Sequence, residues 1–209
     1  NAHISVLSGA SFDVAAGECV ALTGPSGCGK SSLMRMIYGN YRVEAGQIMI
    51  AGTDLVTASP REVMAVRRSV VGYVSQFLRV VPRVSTLDVV SEPLRMLGVS
   101  RDESEQRAGD MLRRLRIPKR LWSLPPATFS GGEQQRVNVA RGLIVSKPLL
   151  LLDEPTASLD AENRDTVVQA ILETINAGTA IVGIFHDAEV RDAVATRTLE
   201  MSPVSKAAA

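Results

Sequence analysis

The chain is short of cysteine, histidine and aromatics, with two cysteines, two histidines, one tryptophan and 4% aromatic residues among 209. Cys19 and Cys28 have no spaced partners, which excludes a disulfide framework and a cysteine-built metal site. A reduced, cytoplasmic compartment is expected from this. No run approaches the roughly 20 apolar residues of a membrane span. The longest, 149–152 and 180–185, have the length of strands. No signal-peptide pattern opens the chain. A net charge of +1 removes any general electrostatic case for nucleic acid or a membrane surface. No internal repeat or low-complexity tract is visible. The length predicts one domain with a sizeable core. Asn1 stands where a methionine would start a gene product, so residues upstream are expected, and the small polar tail 202–209 is predicted to be loose.

What is present centres on Gly24, Pro25, Ser26, Gly27, Cys28, Gly29, Lys30, Ser31 and Ser32. An apolar run, 18–23, precedes this loop and a helical pattern, 31–38, follows it. Gly24, Gly29, Lys30 and Ser31 satisfy G-x-x-x-x-G-K-[ST] in the strand–loop–helix setting that the motif requires. Glycines let main-chain N–H groups turn inward around a phosphate, and a helix N-terminus adds partial positive charge. Lys30 is expected to reach the terminal phosphates, and the Ser31 hydroxyl to ligate Mg²⁺.

Around this loop the pattern alternates strands and turns. Residues 7–14 and 18–23 are predicted to form a hairpin about a turn at 15–17. A strand is expected at 47–51, ended by Gly52, Thr53 and Asp54. Ser59, Pro60 and Glu62 read as a helix start, and 70–75 as a buried strand stopping at Gln76. From 77 to 147 the texture is helical: 86–97 capped by Ser85, 101–116, and 131–145 with Val137, Ala140 and Ile144 on one stripe. After Pro148, strands at 149–153 and 179–185 alternate with helices at 161–177 and 187–195. Such alternation implies parallel pairing. The reading is an α/β nucleotide-binding core, 1–76 and 148–209, interrupted by an α-helical subdomain, 77–147.

Two further stretches carry chemistry. The run 149–152 ends in Asp153 and Glu154, at the end of a buried strand. Asp153 can hold Mg²⁺ with Ser31, and Glu154 can polarise a water for attack on a γ-phosphate. Ser130, Gly131 and Gly132 open the helix at 131, which makes a second anion site or a serine cap followed by flexible glycines.

Together these motifs resemble the ATP-binding-cassette (ABC) ATPase domain over nearly the whole chain. The loop 24–31 is the P-loop, and Gln76 matches the Q-loop glutamine. Phe129, Ser130, Gly131, Gly132 and Glu133 match the signature, usually LSGGQ. Residues 149–154 match Walker B, Ser158, Leu159 and Asp160 the D-loop, and His186 the switch histidine. The resemblance implies a P-loop NTPase fold with a mixed-sheet core and a head-to-tail dimer with a second ABC subunit, identical or not. Each of two ATP molecules would lie between one P-loop and the other subunit's Ser130, Gly131 and Gly132. It further implies ATP hydrolysis with Mg²⁺, with Glu154, His186 and Gln76 as the catalytic group and Ser31, Gln76 and Asp153 around the metal. Two departures stand out. Phe129 and Glu133 replace leucine and glutamine. Phe12, the only aromatic before Lys30, lies in an expected strand, so the adenine-stacking role is placed upstream of Asn1.

The stretches 72–85, 120–122, 126–136 and 182–192 resemble the soluble ABC ATPases of the phosphonate carbon–phosphorus lyase system. That resemblance implies a partner assembly of phosphonate-pathway enzymes. The alternatives are the motor of a membrane transporter, peripheral on the inner face through a permease subunit, and a low-turnover nucleotide-gated scaffold. The basic run Arg113, Arg114, Arg116, Lys119 and Arg120 reads as a solvated face; as a docking patch it would suit an acidic partner.

Overall fold

The computed structural model describes residues 9–202. Within them, strand β1 (Cys19–Thr23) leads through the glycine loop into helix α1 (Lys30–Ile37). A two-strand ribbon follows, β2 (Met49–Ile50) and β3 (Thr53–Asp54), then α2 (Pro60–Ser69) and β4 (Val71–Val74). Helices α3 (Thr86–Arg95), α4 (Arg101–Arg114) and α5 (Gly131–Leu143) come next, with short 3-10 turns at Lys119–Leu121 and Pro126–Thr128. The chain closes with β5 (Leu149–Asp153), α6 (Ala161–Asn176), β6 (Ala180–Ile184), α7 (Ala188–Val194) and β7 (Arg197–Glu200).

The main sheet has the order β4-β5-β6-β1-β7, with every neighbouring pair parallel. Among the described residues, antiparallel pairing is confined to β2 and β3. The strand sequences explain the parallel core. Leu150 and Leu152 of β5 enter one hydrophobic cluster, with Cys19, Ala21 and Ile181. Leu149 and Leu151 face the other cluster, with Leu22, Val182 and Ile184. Both faces are therefore covered, so the strands read as continuous apolar runs. Helix α5 belongs to the same packing. Its Val137 and Ala140 share a cluster with Val74 and Leu152.

Side-chain caps set most helix starts. Ser59 and Glu62 form a reciprocal capping box at α2, and Ser85 accepts from the Asp88 N–H at α3. No strand occurs between 77 and 147. Three expectations change in detail. The expected strand at 7–14 is irregular over 9–14, and its first two residues, like His3 and most of the tail, lie outside the described residues. Thr53 and Asp54, read as a stop, instead form the return strand of the ribbon. Strand β7 was not anticipated. It is a four-residue edge strand with exposed alternate positions and no apolar run to mark it.

The basic run is largely paired within the chain. Arg113 pairs with Asp110, Arg114 with Glu173 at 2.6 Å, and Arg116 with Glu162 at 2.5 Å. These exposed pairs contribute little stability, but they leave less free charge for a docking patch.

Candidate functional site

In a parallel sheet every strand delivers its following loop to the same edge. β4 and β6 flank β5, and β1 lies next to β6. Gln76, Asp153 with Glu154, His186 and the glycine loop therefore arrive at one edge from four adjacent strands. Register places Val74 beside Leu152 and Asp153 beside Ile184. The side chains then meet. Gln76 Nε2 donates to Glu154 Oε2 at 3.2 Å, and His186 Nε2 lies 2.8 Å from Glu154 Oε1. The Glu154 carboxylate is thus held on both oxygens, with its side chain 16% exposed while that of His186 is 70% exposed.

The glycine loop turns into α1 at Gly29, the N-cap, whose φ of +98° disfavours a residue with a Cβ. No side chain caps α1, and no acidic residue lies in its first turn. Its leading N–H groups are left for an anion. Lys30 folds back on the loop, donating to the carbonyls of Gly24 at 2.7 Å and Pro25 at 3.0 Å, with Cys28 Sγ 3.8 Å away. Cys28 and Cys19 are both free and buried, and burial pushes the Cys19 thiol up to about 12. Pro25, Ser26 and Gly27 are exposed, and Ser32 sits in the first turn of α1.

Asp153 is 3% exposed. Ser31 Oγ donates to its Oδ1 at 3.5 Å and the Tyr73 hydroxyl to its Oδ2 at 3.2 Å. Burial raises the Asp153 pKa above the usual carboxylate range, and the neighbouring Glu154 charge adds to this; Tyr73, Arg35 and Ser31 oppose it. Burial and the Asp153 charge push the Tyr73 hydroxyl up to about 12. A buried carboxylate with a hydroxyl beside it suits Mg²⁺, which usually takes one or two protein oxygens and completes its shell from phosphate and water. The described residues hold no cluster of three or more His, Cys, Asp or Glu that could hold a metal ion.

Ser130, Gly131 and Gly132 stand apart from this group. Among the described residues they share no hydrogen bond with the 24–32 loop. Ser130 and Gly131 are exposed. Ser130 caps α5 in a full capping box: its N–H and hydroxyl donate to Glu133 Oε2 at 2.9 and 2.7 Å, and the Glu133 N–H returns a bond at 3.4 Å. Those two Ser130 bonds hold the Glu133 pKa below the ordinary value. A Cβ at Gly132 would stand 3.0 Å from the Ser158 carbonyl, so glycine permits the segment 158–160 to pack on α5.

Sequence reading did not single out three participants. Tyr73 reaches Asp153 from β4. From α5, Gln135 Nε2 donates to the Glu154 carbonyl at 3.0 Å and Asn138 Nδ2 to the Ser75 carbonyl at 2.5 Å. Two polar residues three apart on a largely apolar helix face were the available signal.

Comparison with known proteins identifies the family. The family model for the ABC transporter matches residues 7–157. An ABC transporter ATP-binding protein of Mycobacterium tuberculosis is 38% identical over 197 residues, 94% of this chain. The chain spans only 59% of that relative's length. The lipoprotein-releasing system ATP-binding protein LolD 2 of Caulobacter vibrioides is 42% identical over 188 residues, 90% of this chain and 82% of its own. Among solved structures, the dimeric, post-hydrolysis state of the ATP-binding cassette MJ0796 with ADP and Pi has a TM-score of 0.88. It is 28% identical and covers 94% of this chain and 86% of its own. These relatives favour the transporter alternative over phosphonate processing, for which they give no support. The chain belongs to the ABC transporter family and has the fold of its ATP-hydrolysing cassette.

Proposed function

We propose that the chain is the ATP-hydrolysing motor of a membrane transporter, working as a head-to-tail dimer docked on a permease subunit. The observation that carries the hydrolytic part is the Glu154 carboxylate, held between Gln76 and His186 and next in sequence to the Ser31–Asp153 pair. The loop 24–32 and Lys30 bind the β- and γ-phosphates, with Lys30 leaving the Gly24 and Pro25 carbonyls to do so. Ser31 and Asp153, with Gln76, would hold Mg²⁺, which would neutralise charge on the phosphate oxygens. Glu154 takes a proton from water as the water oxygen bonds to the γ-phosphorus. The bond to the bridging oxygen breaks, its electron pair leaves with ADP, and inorganic phosphate is the second product. His186 and Gln76 keep that carboxylate and the water in line. Ser130, Gly131 and Gly132 complete the other subunit's site.

The transporter part draws support from the relatives, which are named as transporter and lipoprotein-release ATP-binding proteins. No helix among the described residues is long and apolar enough to cross a membrane. The test is purification of the tagged chain from detergent-solubilised native membranes. Recovery with a polytopic membrane protein, and ATPase activity of the complex, are expected. Recovery only with soluble phosphonate-pathway enzymes would overturn the transporter reading.

A further inference from the structure

Glu154 has φ +55°, in the left-handed region that non-glycine residues rarely enter. Such strain persists where surrounding contacts over-determine it, and it clusters at functional positions. Here the main chain of Glu154 is held on both sides. Its N–H donates to the Ile184 carbonyl at 3.0 Å, and its carbonyl accepts from the Ala157 N–H at 3.2 Å. That carbonyl already has a donor from its own loop, yet it accepts a second bond, from Gln135 Nε2 at 3.0 Å. The Gln135 bond is therefore not needed to satisfy a buried acceptor; what it adds is a direction.

The same helix makes a second hold three residues on. Asn138 Nδ2 donates to the carbonyl of Ser75, the residue immediately before Gln76. Gln135 and Asn138 are 5% and 6% exposed and lie on one face of α5. Buried amides are costly unless bonded, and both are bonded to loops that carry hydrolytic side chains. The Gln76–Glu154 hydrogen bond closes the ring: α5, Gln135, Glu154, Gln76, Ser75, Asn138 and back to α5. Helix α5 begins at Ser130, the exposed end assigned above to the other subunit's nucleotide.

We propose that Gln135, with Asn138, is a positioning residue that fixes the hydrolytic pair Glu154 and Gln76 to the helix whose first turn meets the partner's ATP. Closure of the dimer on Ser130 is then transmitted along a rigid helix to this subunit's own Glu154. The inference rests on the proposed ATPase function, and its test separates the two.

Gln135→Leu removes the donor at similar volume. It is expected to lower kcat about 10- to 100-fold, as small misplacements of a reacting group do, with KM for ATP within about twofold of wild type. The variant should also accumulate an ATP-bound dimer in ATP and Mg²⁺, as is expected of Glu154→Gln, because assembly is intact while the water step is slow. In a Glu154→Gln background, Gln135→Leu should cause no further loss, since it acts through that carboxylate. Gln135→Asn, a milder change against misfolding, should give an intermediate kcat. Asn138→Ser should lower kcat without changing monomer affinity for a fluorescent ATP analogue. Wild-type kcat in Gln135→Leu, a kcat loss without a trapped dimer, or full additivity with Glu154→Gln would each overturn the inference. Absence of ATPase activity in the wild-type chain with its partner would instead overturn the proposed function.

Discussion

Two helices of this molecule begin at glycine-rich phosphate motifs, and they begin differently. α1 starts at Gly29 with no side-chain cap and no acid in its first turn, and Lys30 stands beside its free N–H groups. α5 starts at Ser130 with a closed capping box, and the Glu133 that completes the box stays ionised at neutral pH. The first is an anion site lacking only the anion. The second already has a carboxylate on the N–H and hydroxyl of its capping residue, Ser130. A helix start that carries its own carboxylate gains less by binding a phosphate alone. It contributes once another subunit presents a nucleotide already held by its own α1. In the proposed dimer this difference gives binding to one end and closure to the other.

The largest effect expected from breaking this division is at the closing end. Ser130→Arg puts a long cation at an exposed cap and should abolish turnover, while the monomer keeps its affinity for ATP measured by fluorescent-analogue binding. Equal loss of monomer binding would mean that the two ends are not separate in function. Glu154→Gln, at the chemistry between them, should slow steady-state hydrolysis by about 10²–10⁴-fold, the range of a general base.

Lys30→Ala attacks the binding end. Charge-assisted hydrogen bonds contribute about 1.5–3 kcal/mol, so nucleotide affinity should fall by roughly 10- to 100-fold in equilibrium titration. Unchanged affinity would contradict the role of α1. The finest test is Glu133→Gln. Glutamine at this position can still complete a capping box, so the helix start is kept and only the charge goes. ATP-driven dimerisation should tighten by a few-fold, the scale of a partly exposed charge. Weaker dimerisation would show that the carboxylate assists closure rather than opposing it.

The contrast also shows what a sequence can carry. The strands on which the site depends were legible, because burial on both faces writes them as apolar runs such as Leu149–Asp153 and Ala180–Ile184. The capping box at α2 was legible because Ser59 and Glu62 lie three residues apart; at α5 only the Ser130 cap was read, and the Glu133 half of its box was not. Edge strand β7 was not, since half its side chains face solvent. The family resemblance grouped Glu154 with Gln76 and His186, but did not say that each would hold one oxygen of the Glu154 carboxylate. That follows from the strand order β4-β5-β6, a long-range fact. Gln135 and Asn138 were hidden for the same reason. A buried amide on a helix explains itself only when the carbonyl opposite, 19 or 63 residues away in the chain, is known.

The central claim is that the site around Glu154 is half a site until a second subunit brings its Ser130. Its most direct test is the mass of purified Glu154→Gln by light scattering, with and without ATP and Mg²⁺. The account predicts a monomer without nucleotide and a dimer with it, returned to monomer by adding Ser130→Arg. A Glu154→Gln chain that binds ATP and stays monomeric would contradict it.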